Sequence, residues 1–521
     1  MFDFDPIELE LFKNIFVSIS EEMGAVLGRT SLSPNIKERK DFSCALFNQK
    51  GETFAQGSHI PVHLGAMPLS VQASLSAITF EDGDLVILND PYRGGTHLPD
   101  ITCISPVFFD KKLVFFVANR AHHSDVGGMT PGSMPLATEI FQEGMIIPPL
   151  KLIQRGKLGN DILSLILANV RTPEERRGDL LAQIASNEKG KQRLEEIIKK
   201  YGLKKILHYT ELIQSYTEKI LKETIKNIPD GAYSFSDYMD DDGIKDKPIK
   251  IGVKITIKND EATVDFSSSA SQVDGSVNAN YAVTYSAVLY VFRCLIEEDI
   301  PFNTGLMRPI EIIAPKGTIL NAQYPAATAG GNVETSQRIV DVLLGALSKA
   351  IPKKIPAASS GTMNNVAFGG YDPSKNRNFA YYETIGGGMG GSSERPGLSG
   401  VHTHMTNSLN TPLEALEHYL PLKIRRYCMR RGSGGGGKNK GGEGIIREYE
   451  FLVPTQVTII SERRKFAPYG ILGGKDGKTG NNFLFSAGKK MSLNSKVNLK
   501  VGPGDVLHIE TPGGGGYGKK K

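Results

Sequence analysis

Cysteine is scarce in this sequence. Cys44, Cys103, Cys294 and Cys428 lie far apart in a chain of 521 residues, and no two form a CxxC pair. That spacing argues against a zinc finger and a disulfide framework, and it suits a reducing compartment. No run approaches the roughly 18 apolar residues needed to cross a bilayer. The N-terminus, Met1-Phe-Asp-Phe-Asp-Pro-Ile-Glu, is acidic where a secretory signal would be basic. A cytoplasmic location is therefore expected. Charge of one sign is also nearly absent in excess: 61 Lys+Arg against 56 Asp+Glu leave +5, spread along the chain. No nucleic-acid module accompanies the densest basic cluster, Arg425, Arg426, Arg430 and Arg431, which is expected on a solvated or subunit-facing helix. The 57 glycines occur in blocks, including 386–391, 434–437 and 513–516, without a fixed period. A solenoid is thus excluded, and backbone that turns tightly or approaches a ligand or another chain is expected.

The length exceeds one ordinary core, so several domains are expected. Pro6 to Gly28 reads as a helix on the spacing of Ile7, Leu11, Ile15 and Ile19. Phe42 to Phe47 and Thr53 to Ala55 read as a hairpin, and Leu85 to Leu88 as a buried strand. Ile101 to Phe109 and Leu113 to Val117 are β-rich runs joined by Asp110-Lys111-Lys112. Helices follow from Pro173, with Thr172 as N-cap, to about 225, where Asn227-Ile-Pro-Asp-Gly231 breaks the pattern. Further strands and helices alternate to about 431, and a glycine-rich β region ends the chain. The class is α+β, mixed sheet blocks with helical segments, with expected domains at 1–230 (metal-bearing), 231–431 and 432–521.

Eight of the ten histidines fall in two neighbourhoods: His59, His63, His97, His122 and His123, then His402, His404 and His418. If the strands around 101–109 and 113–119 form a hairpin centred on Lys111, Asp100 and His122 stand opposite each other. Opposed residues have Cβ atoms roughly 4.5–5.5 Å apart, close enough for a carboxylate and an imidazole to share one ion. Gly94-Gly95 lets His97 curl back over the strand ends. Two imidazoles and one carboxylate leave coordination positions open, as a catalytic site does. A lone histidine beside a strand is usually a satisfied polar residue, and the convergence of three ligand-type residues is what distinguishes this set. His123 faces away from His122 if the strand continues. Asp90 either adds a carboxylate or caps the turn at Pro91. His59 and His63 flank an extended Ile60-Pro61-Val62, lining the cavity as acid–base residues. His402 and His404 share one strand face, as cavity lining or as structural residues. Three near-motifs fail. Gly432 to Lys438 has phosphate-loop spacing but is followed by Asn439 and a strand-like run. Asp240-Asp241-Asp242-Gly243 lacks the flanking ligands of a calcium loop, with Tyr238 and Ile249 in their places. Glu414-Ala-Leu-Glu-His418 is not HExxH.

Several stretches together resemble the B-type chain of the hydantoinase/5-oxoprolinase family, which includes acetone and acetophenone carboxylases. They are Ile36-Lys-Glu-Arg-Lys-Asp-Phe-Ser-Cys44, His59-Ile-Pro-Val-His-Leu-Gly65, Asn89-Asp-Pro-Tyr-Arg-Gly-Gly-Thr-His-Leu-Pro-Asp100 and Asn119-Arg-Ala-His-His-Ser-Asp-Val-Gly-Gly128, with Thr406 to Pro412 and Gly441 to Gly444 further on. The resemblance implies a hetero-oligomer with a hydantoinase A-like, ATP-binding partner that uses ATP to phosphorylate a substrate carbonyl. It implies a divalent metal, Mn2+ or Zn2+, at His97, Asp100 and His122. Asp41, His59, His63 and His123 are the candidates for proton transfer around it. The expected reaction is cyclic-amide hydrolysis. The alternatives are a ketone carboxylase component and a non-catalytic scaffold holding a structural metal.

Overall fold

A computed structural model describes residues 5–520. The first helix, α1 (Pro6–Thr30), begins behind Asp5, whose side chain accepts from the Ile7 N–H, and α2 (Pro34–Lys37) follows. The face of α1 differs from the expected stripe. Ile7 is 79% and Leu11 46% exposed, whereas Leu9, Phe12, Phe16, Ile19, Met23 and Leu27 are buried. A strict four-residue spacing drifts about 40° around the helix at each step, while alternating threes and fours hold one face.

The strands β1 (Phe42–Asn48), β2 (Thr53–Gln56), β3 (Leu85–Leu88), β4 (Asp100–Phe109), β5 (Lys112–His122), β6 (Leu150–Gln154) and β7 (Lys157–Leu158) form a seven-stranded antiparallel sheet ordered β2-β1-β5-β4-β3-β6-β7. Helix α3 (Pro61–Ala77) covers one face, with α4 (Asn160–Ala168), α5 (Pro173–Tyr201) and α6 (Leu203–Lys226) following later in the chain. Residue parity sorts β5 between the two sides. Phe115 and Val117 join α1 and α5 in one cluster, while Phe116 and Ala118 join Leu64, Met67 and Val71 of α3 in another. Thr172 stands at the N-cap of α5 without a side-chain cap bond.

The β4–β5 turn is tighter than expected. Phe109 pairs with Lys112, so two residues connect the strands, Asp110 and Lys111, both with positive φ. Their φ values of 48° and 63° are those of the primed turn that matches strand twist. A bulge at Val114 then shifts the register, from Phe108↔Leu113 to Val107↔Phe115. The bulge restores the symmetry about Lys111, and Asp100 pairs with His122 as expected.

The next region carries β8 (Gly231–Met239), β9 (Ile249–Lys258), β10 (Glu261–Asp265), α7 (Tyr281–Cys294), β11 (Ile310–Ile313) and α8 (Ser336–Ala350), the four strands making one sheet. A π-turn, Gly331–Thr335, opens α8. The remaining strands are β12 (Asn365–Asp372), β13 (Arg377–Glu383), β14 (Leu422–Arg430), β15 (Gly444–Phe451), β16 (Thr455–Ile460), β17 (Asn481–Ser486), β18 (Lys489–Leu493), β19 (Lys496–Val501) and β20 (Val506–Glu510), with α9 (Leu413–Tyr419) between β13 and β14. They form sheets ordered β13-β12-β16-β19 and β14-β15-β20-β17-β18, with a shared apolar core that includes Phe368, Tyr449 and Leu507. The arginine cluster therefore starts on an edge strand and not on a helix. Long-range pairing decides it: Arg426 stands opposite Glu448 and Lys423 opposite Glu450 on β15, and opposite charges there stabilise the pair. The glycine blocks pack backbone against backbone within this one chain. The Gly435 N–H donates to the Gly514 carbonyl, the Gly442 N–H to Met389 and the Gly514 N–H to Gly442. A Cβ on Gly435 would sit 2.1 Å from the Lys475 oxygen, and one on Gly514 2.1 Å from the Met389 oxygen. That closeness accounts for glycine at these positions. Gly432 to Lys438 belongs to this layer, and no helix follows it.

Candidate metal centre

Strand parity places Asp100 and His122 on the α3 side of the sheet, at the open end of the β4–β5 hairpin. His97 enters from the loop after the short turn Pro91–Arg93, which Asp90 caps through the Tyr92 N–H at 2.9 Å. The capping reading of Asp90 is the one realised. His97 Nε2 lies 3.0 Å and His122 Nδ1 3.2 Å from Asp100 Oδ1. The other oxygen, Oδ2, faces His63 Nε2 at 3.2 Å and accepts from the Thr96 hydroxyl at 2.5 Å. Asn332, on the π-turn, offers Nδ2 at 3.5 Å to the same atom. His97, Asp100 and His122 are all buried, and one ligand atom from each lies within 4.8 Å of the others.

Burial on its own would raise the Asp100 carboxyl. His63, His97 and His122 outweigh it and hold the group well below the usual carboxylate range. Burial lowers His122, against the opposing pull of its hydrogen bond to Asp100, so its neutral form is favoured. The Arg120 guanidinium is buried beside them, donating to Thr102 Oγ1 at 2.8 Å and Ser70 Oγ at 2.7 Å. Burial pushes it down to about 10, still a cation at neutral pH, and Asp100 opposes the shift. The His122 ring stacks on Tyr382, with centroids 4.3 Å apart and planes 16° apart.

Two imidazoles and a carboxylate form a donor set that suits zinc, manganese or iron. The residues fit such an ion on a second observation too. Nε2 of His97 and Nε2 of His122 are buried without a hydrogen-bond partner. Buried polar nitrogens in that condition cost free energy unless something ligates them.

The proton-transfer candidates separate. His63 reaches Asp100, and its Nδ1 lies 3.4 Å from the Ser43 hydroxyl. It does so from a helix and not from an extended segment, because Pro61 takes the first-turn position of α3, where its missing N–H costs nothing. Asp41 accepts the His122 N–H with its main-chain oxygen at 3.0 Å, and its carboxylate faces Arg39 at 3.7 Å. His59 lines a cavity of about 460 Å3 with Lys13, Tyr290 and Asn407. Its Nδ1 accepts from the Cys44 N–H, and burial pushes it down to about 4. His123 points to the α5 face, where Nε2 meets Gln183 Oε1 at 2.9 Å; burial, followed by Arg176, pushes it down to about 4. His402 and His404 do not share a strand. They lie in a loop where His404 adopts φ +60°, with its Nδ1 3.4 Å from the Tyr290 hydroxyl. The Asp240 carboxylate accepts the main-chain N–H of Lys465, and Asp241 pairs with the Lys465 and Lys496 side chains, as a structural cluster would.

Sequence reasoning missed Thr96, Arg120, Asn332 and Tyr382. The first two stand inside the stretches that carried the family resemblance. The other two come from segments more than two hundred residues away, and only Gly330-Gly331 beside Asn332 marks a close backbone approach: a Cβ on Gly331 would meet the Asn278 oxygen at 1.9 Å.

A family model described as Hydantoinase B/oxoprolinase matches residues 5–520. The 5-oxoprolinase 1 of Arabidopsis thaliana is 42% identical over 546 residues; the match covers 99% of this chain but 42% of that protein, so this chain spans less than half of that relative's length. A B-type component of a D-/L-hydantoinase from a Pseudomonas species is 33% identical, with 99% of this chain and 90% of that one covered. Among solved structures, an ATP-dependent caprolactamase from Pseudomonas jessenii matches with a TM-score of 0.92 at 27% identity, covering 99% of this chain and 92% of that one. This chain belongs to the hydantoinase B/oxoprolinase family.

Proposed function

We propose that this chain is the B-type component of an ATP-dependent cyclic-amide hydrolase, completing ring opening at a divalent metal held by His97, Asp100 and His122. A partner A-type chain spends the ATP by phosphorylating the amide carbonyl, and the assembly works in the cytoplasm. One observation carries the reading: a fully buried carboxylate gathers imidazoles around it while two ring nitrogens stay without hydrogen-bond partners. The names of the relatives, a 5-oxoprolinase, a hydantoinase component and a caprolactamase, point to cyclic amides as the substrate class.

When bound, manganese or zinc supplies a Lewis acid for the carbonyl or for water. The protein's own residues do the rest. Asp100 balances the cation's charge, and the Thr96 hydroxyl, itself 3.5 Å from Arg120 Nη1, holds Asp100 in place. His63 is the proton-transfer candidate whose side chain reaches the set, and it is placed to hold or pass a proton at Nε2. Asp41 fixes the His122 main chain, while His59 and His123 lie outside the contact set. The failed phosphate-loop match at Gly432 to Lys438 agrees with nucleotide use by a second chain.

The test is metal analysis of the purified chain together with an ATP-dependent assay of its co-purified complex on hydantoin, 5-oxoproline and ketones. Close to one divalent ion per chain and ring opening of an amide are expected. Protein grown with metal and free of chelators that carries none would remove the site, and turnover of ketones alone would move the reaction to carboxylation.

A further inference from the structure

Glu143 is fully buried, yet its hydrogen-bond partners are uncharged. Its Oε1 accepts the N–H groups of Thr328 and Ala329, each at 2.8 Å, and Oε2 faces the Thr328 hydroxyl at 3.5 Å. Among the described residues no lysine, arginine or histidine forms an ion pair with it. Burial accordingly pushes its carboxyl up to about 8. At neutral pH the group is therefore mostly protonated, and what it does there is hold two main-chain N–H groups rather than pair with a cation.

The clamped peptide leads straight to the metal centre. The Ala329 carbonyl lies 3.4 Å from His97 Nδ1. A carbonyl only accepts, so that contact puts the imidazole proton on Nδ1 and leaves Nε2 bare. Nε2 makes no hydrogen bond although Asp100 Oδ1 lies 3.0 Å away, a separation that suits two adjacent ligands of one cation lying to the side of both. The segment has little freedom to relax. Asn278 Nδ2 holds the Ala327 oxygen at 3.1 Å, and the Gly331 N–H donates to the Thr328 oxygen at 3.0 Å.

We propose that Glu143 is a positioning residue for the metal centre: it clamps the Thr328–Ala329 peptide so that the Ala329 carbonyl sets the ligating tautomer of His97. The inference rests on the metal reading given above. Outer partners of this kind change metal affinity by roughly 10- to 100-fold when removed.

The experiment uses the full chain and cobalt(II), whose visible spectrum reports ligand geometry. Glu143→Ala should bind cobalt at least roughly tenfold more weakly, with an altered spectrum. Glu143→Gln keeps an acceptor oxygen and should restore the wild-type spectrum, with affinity between the two. In the metal-free wild type, nitrogen-15 NMR of labelled histidine should show the His97 proton on Nδ1, assigned by loss of the signal in His97→Gln. Cobalt affinity and spectrum unchanged in Glu143→Ala would overturn the proposal. So would Glu143→Gln as impaired as Glu143→Ala, or a His97 proton on Nε2. Should Glu143→Ala not fold, the NMR result decides alone. A wild-type chain that binds no cobalt defeats the metal reading itself, and the tautomer still tests the clamp.

Discussion

Replacing Asp100 by asparagine keeps the side chain's shape and removes its charge. In the wild type, Oδ1 meets two imidazoles at 3.0 and 3.2 Å, and Oδ2 meets a third imidazole at 3.2 Å and the Thr96 hydroxyl at 2.5 Å. The asparagine Nδ2 can serve none of these as an anion does, and buried Arg120 loses its nearby opposite charge. Removing one partner from a buried charge network costs roughly 3–5 kcal/mol. Total stabilities are commonly about 5–15 kcal/mol, so the chain should still fold, with a lower thermal midpoint. The metal effect is separate. A ligand that binds only the folded state at about 100 times its dissociation constant adds about 2.7 kcal/mol. The wild type should therefore melt higher with zinc or manganese, and Asp100→Asn should lose most of that rise. Turnover by the complex should fall at least roughly a hundredfold, the scale for losing a group central to transition-state charge stabilisation. The assay is the thermal midpoint with and without metal, beside turnover per folded complex, on the same samples. Refutation has two forms. If Asp100→Asn keeps both a full metal-dependent rise and near-normal turnover, Asp100 is not a ligand. If the variant unfolds or leaves its partner while activity per folded complex stays normal, the metal is structural.

The isolated chain should neither bind nor hydrolyse ATP, since Gly432 to Lys438 is built into the glycine layer; calorimetry showing micromolar ATP binding would contradict this. Gly435→Ala should cost roughly 3 kcal/mol or more in denaturant unfolding, because its Cβ would lie 2.1 Å from the Lys475 oxygen, whereas Gly436→Ala meets only the Lys475 side chain at 3.9 Å and should stay within roughly 1 kcal/mol. Equal effects of the two substitutions would remove the packing account. Partial burial would raise Glu443, but Lys440, Gly434 and Ser433 hold it down to about 2. Its stabilising contribution is present above the unfolded value of about 4.3 and is lost as pH falls through its folded value. The midpoint gap between wild type and Glu443→Gln should close as pH falls toward 2; a gap independent of pH would refute it.

Short-range pattern alone located most of the elements that carry the site. Alternation and turn chemistry identified β1 to β5, and the hairpin symmetry about Lys111 brought Asp100 opposite His122. That pairing came out right for a reason the sequence does not display. The turn is one residue shorter than it reads, and the bulge at Val114 makes up the difference. Without the bulge, Ala121 would stand opposite Asp100, and His122 would turn to the other face of the sheet. Whether a strand bulges depends on the neighbours packed on both of its faces, here α3 on one side and α1 with α5 on the other. The same dependence explains His63, whose helix begins at a proline that reads equally well as extended chain, and the edge strand of arginines, set by acidic residues on β15. The family stretches named His97, Asp100 and His122. Glu143, Ala329, Asn332 and Tyr382 reach them only because the chain folds back across the sheet's open end, and contacts between residues tens to hundreds of positions apart leave no period in a sequence.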